Sequence, residues 1–310
     1  MARGRGRGIE VVGLGQACVD YLGRVPRYPA EDGKVELEEI HMLCGGPAST
    51  AMVTLQALGI KTTFLGSISD DHFGKMILRN LQEKGVDVSC LKVVPGYWSQ
   101  FAFIAISKSG ARTIFWHRGT VPPLSAKEIN LKEFPDAKVL HMDGLMVEAC
   151  IEAATQARAL GLTVVLDAGS WREGSRELCA LVDILIASEG FADPLVGENT
   201  PVEETLETLK SLGPQVVVIT QGAKGSVGLG PEGLVRQEAF QVEVVDTTGA
   251  GDVYHGAYIY PLLKGHSMAH CMRFASAAAA LSCTRVGAQA GIPTLEKVER
   301  LLKRGSPPSG

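Results

Sequence analysis

The chain has 310 residues, 45% of them hydrophobic and 21% charged, and a formal net charge of −4. These proportions describe a folded globular protein and not a disordered one, and near this length single cores stop growing, so one large α/β domain or a domain with an appended lid is expected. The mild negative charge offers nucleic acid and anionic membranes no electrostatic attraction, no run approaches the ~20 apolar residues of a membrane span, and the start lacks the apolar segment of a secretory signal.

In chain order, residues 1–8 alternate arginine and glycine and are expected to form a disordered tail, because three arginines neutralise too few phosphates for a nucleic-acid arm. Residues 9–304 are expected to be one folded domain, followed by a second disordered tail over 305–310. Residues 9–14 read as a first strand, 47–58 as a helix stopped by Gly59, 62–67 as a strand and 73–84 as a helix closed by Gly85. Apolar runs of strand length follow at 139–142, 163–167, 184–187 and 216–220, separated by helical spacing over 148–160, 175–181 and 202–212. Strand, helix, strand at this spacing implies crossover connections and a doubly wound, mostly parallel sheet flanked by helices.

Two regions break that rhythm. Residues 21–44 and 99–116 alternate without a helix, and in the second two β-runs flank Ser109-Gly110, a hairpin turn signal. Segments of about 20–44 and 97–120 therefore belong in a small β-sheet beside the core, either a lid over the site or an insertion with no part in closure. Seven scattered cysteines without a C-x-x-C pair read as reduced thiols of a cytoplasmic protein.

The stretch Asp246-Thr-Thr-Gly-Ala-Gly-Asp252 carries the chemistry. If residues 241–245 are a strand and 253–263 a helix, the glycines form the turn between them. Glycine lets an anion approach the backbone closely, and the unpartnered N–H groups and dipole of the helix start attract it. Asp252 then has two readings: a general base for an attacking hydroxyl, or a helix cap. No Walker loop occurs. Gly13-Leu14-Gly15 opens a dinucleotide fingerprint only weakly, since Cys18 stands at its third glycine and Asp20 comes too early for the ribose ligand.

The turn, with its small-residue helix, resembles the C-terminal signature of the ribokinase/PfkB family of carbohydrate kinases. Gly45-Gly46-Pro47-Ala48-Ser49-Thr50-Ala51 resembles the family's N-terminal sugar signature, and Gly66, Asp71 and Gly74 match the G-x-x-x-x-D-x-x-G that follows. The signatures come in order over about residues 9–302 and are closest to the ketohexokinase-like and sulfofructose kinase-like branches.

The resemblance implies a ribokinase-like fold and an ATP-dependent sugar kinase that phosphorylates a primary hydroxyl. Asp252 would be the base, and the amides of Gly249, Ala250 and Gly251 the anion hole. Asp20, Gly45, Gly46 and Thr50 would hold the sugar. Arg118 would meet an acidic or phosphorylated group, or simply face solvent or the dimer partner. Thr220, Gly222 and Gly225 would line the ATP phosphates, and residues 283–293 the adenine. A monovalent cation, typically potassium, would sit on Asp246, Thr248 and the backbone oxygens of Arg285 and Gly287, although Gly291 stands where a serine ligand often occurs. Mg2+ would reach Glu189 through water.

Three departures stand out. Thr50 replaces the asparagine that helps read ribose. Ser188-Glu189-Gly190-Phe191 replaces the magnesium-organising N-x-x-E. Residues 114–120 lack a counterpart of the polar residue that the sulfosugar enzymes carry there. A homodimer through the lid is expected. The alternatives are a nucleoside kinase of the same fold, with Trp98, Phe101, Phe103 or Trp116 against the base, and a non-catalytic sugar or nucleotide sensor.

Overall fold

A computed structural model describes residue 6, residues 8–108 and residues 112–304. Most of the arginine–glycine start, the Ser109-Gly110 turn and the 305–310 tail lie outside the described residues. Thirteen strands appear among the described residues: β1 (Val11–Leu14), β2 (Cys18–Arg24), β3 (Glu39–Gly45), β4 (Thr62–Ser69), β5 (Leu91–Val94), β6 (Phe101–Ile106), β7 (Arg112–His117), β8 (Val139–Met142), β9 (Thr163–Ala168), β10 (Ile184–Ser188), β11 (Val216–Thr220), β12 (Ser226–Gly230) and β13 (Gly233–Gln237). The helices are α1 (Pro47–Ala57), α2 (His72–Glu83), α3 (Val147–Leu160), α4 (Ser175–Cys179), α5 (Asp193–Val196), α6 (Val202–Ser211), α7 (Ala250–Leu262), α8 (Met268–Ser282) and α9 (Leu295–Arg304).

Nine strands form the main sheet in the order β13-β12-β11-β10-β9-β8-β1-β4-β5, parallel from β11 to β5 with β12 and β13 antiparallel at one edge. Its central strands are apolar at successive positions because both faces are covered. Val164 and Val165, Leu185 and Ile186, and Val217 and Val218 each send one side chain into either of two apolar layers. One layer is built with α1, α7 and α8, the other with α3 and α6.

The other four strands form the separate small sheet expected for the two extended regions, in the order β3-β2-β6-β7. The parallel pairing of β2 with β6 joins two distant segments into this one sheet. The G-x-x-x-x-D-x-x-G spacing has a mechanical reading here. Asp71 caps α2 by accepting from Gly74 N at 2.7 Å, and it also accepts from Ser99 Oγ at 2.7 Å and Ser99 N at 2.8 Å, which ties the body to the segment entering β6. At Gly74 a Cβ would stand 1.9 Å from the Ser69 carbonyl oxygen.

One expected element is absent. Residues 241–245 form no strand: Val244 is exposed, and the segment contributes only the Val245 and Asp246 N–H groups, both donated to the Cys283 carbonyl at 2.8 and 3.2 Å. β13, paired with β12, is the last strand at that edge of the sheet, and residues 241–245 do not extend it. Six elements were not anticipated: β5, the two strands of the β12–β13 hairpin, α5, α8 and α9.

Candidate active site

The expected signatures meet where the parallel strands end. Gly249 lies in the left-handed region at φ 74°, and α7 begins directly after it with no side-chain cap. Asp252 therefore does not cap its helix. The Ala250 N–H, expected in the anion hole, turns back to the Thr247 carbonyl at 3.2 Å. The N–H groups of Gly251 and Asp252, in the first helical turn, are the ones without an intrahelical acceptor. A Cβ at Gly249 would meet Ala288 Cβ at 2.5 Å, whereas at Gly251 it would meet nothing within 4 Å. The turn is packed on one side and open on the other.

Asp246 fixes the turn from beneath. Its Oδ1 accepts from Thr248 N at 2.9 Å and Thr248 Oγ1 at 2.7 Å, and its Oδ2 accepts from Gly287 N at 2.8 Å. The carboxylate is 1% exposed and has no ion-pair partner among the described residues. The four residues expected at a cation site, Asp246, Thr248, Arg285 and Gly287, are thus on two loops that this one side chain holds together.

Asp252 is half-buried, and burial pushes its carboxyl up to about 7, with Asp20 adding to the rise and Arg112 opposing it. Asp20, on β2, is 4% exposed, and the Cys18 thiol donates to its Oδ1 at 3.1 Å. Burial raises the Asp20 carboxyl, the Cys18 bond and Arg112 lower it, and Asp246 raises it further. The Gly-Gly signature makes room for this side chain: a Cβ at Gly45 would stand 2.1 Å from Asp20 Oδ2. Gly46, at φ 101°, passes the Ala17 backbone so closely that a Cβ would lie 2.7 Å from Ala17 Cα. Thr50 has no exposed surface, and its Oγ1 accepts from Gln289 Nε2 at 3.4 Å.

On the nucleotide side, Thr220 Oγ1 donates to the Ala187 carbonyl at 3.2 Å, and Gly222 and Gly225 take left-handed backbone at φ 56° and 97°. Glu189 lies against this loop, accepting from Gln221 Nε2 at 3.0 Å with Lys224 Nζ at 3.7 Å. Phe191 is 2% exposed and packs on Trp171 at 5.3 Å, so the last position of N-x-x-E is a core residue here and cannot hold a metal. No group of three or more metal-ligating side chains occurs among the described residues. The residues present do not fit an N-x-x-E magnesium anchor.

The sequence pointed to Arg118, which is exposed and has its guanidinium 5.6 Å from the Trp116 ring centre. The small-sheet arginine that reaches the site is Arg112. Its Nη1 donates to the Thr247 carbonyl at 3.2 Å, and its charge acts on both Asp20 and Asp252. Three further polar residues escaped notice. Asp143, just beyond β8, accepts from Gln16 N at 2.6 Å and Leu145 N at 3.0 Å, and burial pushes it up to about 6. Asp167, on β9, lies 3.5 Å from His255 Nε2. An aspartate closing an apolar strand in a doubly wound sheet was the available signal, because ligands gather at those strand ends.

A family model described as pfkB family carbohydrate kinase matches residues 9–295. The chain is 30% identical over 301 residues to a ribokinase of Haemophilus influenzae, across 94% of this chain and 97% of that protein. It is also 30% identical over 319 residues to a 5-dehydro-2-deoxygluconokinase of Shouchella clausii, across 96% and 97% of the two chains. The structure of Arabidopsis thaliana ribokinase complexed with ribose and ATP matches with a TM-score of 0.82 at 25% identity, covering 96% of this chain and 99% of that one.

Proposed function

This chain belongs to the pfkB family of carbohydrate kinases, and we propose that it moves the γ-phosphoryl group of ATP to a primary hydroxyl of a small ketohexose-like sugar, with Asp252 as base. The observation that carries this reading is Asp252 itself. It is a half-buried carboxylate raised toward neutrality by its surroundings, free of any capping bond, beside the open face of Gly251. A base is most effective when its pKa lies near the working pH.

In the reaction the acceptor hydroxyl gives its proton to Asp252 while its oxygen forms a bond to the γ-phosphorus. The bond from phosphorus to the bridging oxygen breaks, and ADP leaves with the electron pair. The N–H groups of Gly251 and Asp252, at the positive end of α7, face the charge that develops. Arg112 brings a lid cation to the same turn. Asp20 accepts protons from sugar hydroxyls, in the space that Gly45 leaves. Thr220, Gly222 and Gly225 border the nucleotide. Magnesium enters with ATP as part of the substrate, and no step is assigned to a protein anchor.

The buried Asp246 carboxylate, without an ion-pair partner among the described residues, fits a monovalent cation held with Thr248 and the backbone oxygens of Arg285 and Gly287. Bound potassium would supply positive charge under the anion turn. The exposed Ile40, Met42, Phe115 and Trp116 on the small sheet support a homodimer formed lid to lid. No helix among the described residues is long and apolar enough to cross a membrane, and the need for ATP supports a cytoplasmic location.

Relatives named ribokinase and 5-dehydro-2-deoxygluconokinase support a small sugar or sugar acid as acceptor. Of the lid aromatics, Phe101 packs on Phe73 at 5.6 Å and Phe103 on Phe115 at 6.5 Å, so these two do not stand free to stack on a base. The test is ADP release with Mg-ATP across hexoses, pentoses, sugar acids and nucleosides, followed by phosphorus NMR of the product. A phosphate ester on the primary hydroxyl of a ketohexose or close relative is expected. Turnover confined to nucleosides would contradict the proposal.

A further inference from the structure

Beneath Asp252 lies a polar pair that the reaction described above does not use. His255, one turn along α7, is 5% exposed, and Asp167 is 9% exposed. His255 Nδ1 is 2.6 Å from the Gly251 carbonyl oxygen, which can only accept, so Nδ1 carries a proton. Nε2 then faces two oxygens, Ile186 O at 3.3 Å and Asp167 Oδ1 at 3.5 Å. A bare nitrogen lone pair against two oxygen acceptors in a dry interior is unfavourable, so a second proton must sit between Nε2 and one of them. That proton belongs either to the ring, as an imidazolium beside an Asp167 carboxylate, or to the Asp167 carboxyl, and in a dry interior the uncharged arrangement is the less costly.

We propose that Asp167 and His255 are a positioning pair for Asp252, in which a carboxyl O–H of Asp167 donates to His255 Nε2 while His255 Nδ1–H holds the Gly251 carbonyl. The pair is neutral. It fixes the Gly251–Asp252 peptide, whose N–H lies in the anion turn, and it keeps a second negative charge away from the base. This rests on the reading of Asp252 as base.

Burial acts on both members in the direction that neutrality requires, raising Asp167 well above the carboxylate range and lowering His255. The surrounding groups are consistent with it. Asp252 is met by Asp167 from β9, His255 from α7, Arg112 from β7, and Asp20 and the Cys18 thiol from β2. The pair itself is met by Asp143 from beyond β8 and by His141 of β8, whose ring is 6.0 Å from that of His255. His141 is fully buried with neither ring nitrogen partnered, and burial drives it down to about 3, so it stays neutral and does not compete for the proton.

The test compares Asp167→Asn with Asp167→Ala in the pH dependence of kcat/KM. The asparagine amide donates an N–H to Nε2 as the carboxyl did, so its acid limb should stay where the wild type has it. Alanine leaves Nε2 without a donor, the ring takes a proton from solvent, and a cation beside Asp252 should move the limb to lower pH by ~1 unit or more. Equal shifts in both variants would mean that Asp167 acts as an anion, and no shift in either would mean a packing role; each overturns the proposal. If a variant fails to fold, ring-nitrogen NMR of histidine-labelled wild type decides. Nδ1 should carry a proton and Nε2 should be an unprotonated, hydrogen-bonded nitrogen throughout the active pH range, and a free Nε2 or a ring protonated at both nitrogens overturns the pair. A wild-type acid limb that survives Asp252→Asn would instead overturn the reading of the base and leave the NMR result standing.

Discussion

Gly45→Ala isolates the contribution of the sugar carboxylate. Gly45 is not among the residues with left-handed backbone, so alanine introduces no strain of its own there. Its Cβ would nonetheless stand 2.1 Å from Asp20 Oδ2 and 3.1 Å from Asp20 Cγ. The carboxylate must retreat by roughly 1 Å to regain van der Waals separation. It has little freedom to do so, being 4% exposed and held by the Cys18 thiol at 3.1 Å. Displacement should cost its charge-assisted bond to a sugar hydroxyl, about 1.5–3 kcal/mol. At about 1.4 kcal/mol per factor of ten, the KM for the sugar should rise about ten- to a hundredfold. The KM for ATP should not change, because Thr220, Gly222 and Gly225 belong to a different loop after β11. Steady-state kinetics with each substrate varied in turn measures both constants. An unchanged sugar KM, or parallel rises in both, would refute the argument.

Gly251→Ala should fold normally, since nothing lies within 4 Å of the added methyl, and thermal melting should show α7 unharmed or stabilised by about 0.5–1 kcal/mol; kcat should still fall about tenfold or more because the methyl covers the anion turn. Arg112→Ala should lower kcat by about tenfold or more, while Arg118→Ala, which removes only an exposed guanidinium stacked on Trp116, should leave it unchanged; the reverse ranking would reassign the lid cation. The Asp252 carboxyl rises from 3.8 to about 7 on folding, so the folded form holds a proton that the unfolded form has lost, and stability falls as pH climbs through that window. Asp252→Asn should therefore be the more stable protein above that window, with the gap closing as pH falls; urea unfolding at both ends of the range checks it.

What the sequence disclosed follows from how local each signal is. The strand boundaries at 139–142 and 216–220 agree to the residue with β8 and β11, because strands covered on both faces read as unbroken apolar runs. Residues 241–245 mimic an alternating strand yet have no neighbour, since pairing depends on where the sheet ends and not on the segment itself. The hairpin of β12 and β13 escaped although Gly230 and Gly233 flank its turn, a signal that was there to be read. In the same way Asp246 and Asp252 were legible because seven consecutive residues build their surroundings. Arg112 was not, because reaching Thr247 depends on how the β6–β7 hairpin lies against the body. Asp167 and His255 become partners only through the crossover that brings β9 beneath α7, and an isolated aspartate or histidine in the sequence carries no sign of it.

The central claim is that Asp252 takes the acceptor's proton. Its most direct test is the turnover of Asp252→Asn beside wild type on the best acceptor, with ATP affinity measured by calorimetry on both. The account predicts a loss in kcat of at least ~10²-fold with ATP binding retained. Wild-type turnover in a variant that cannot accept a proton would contradict it.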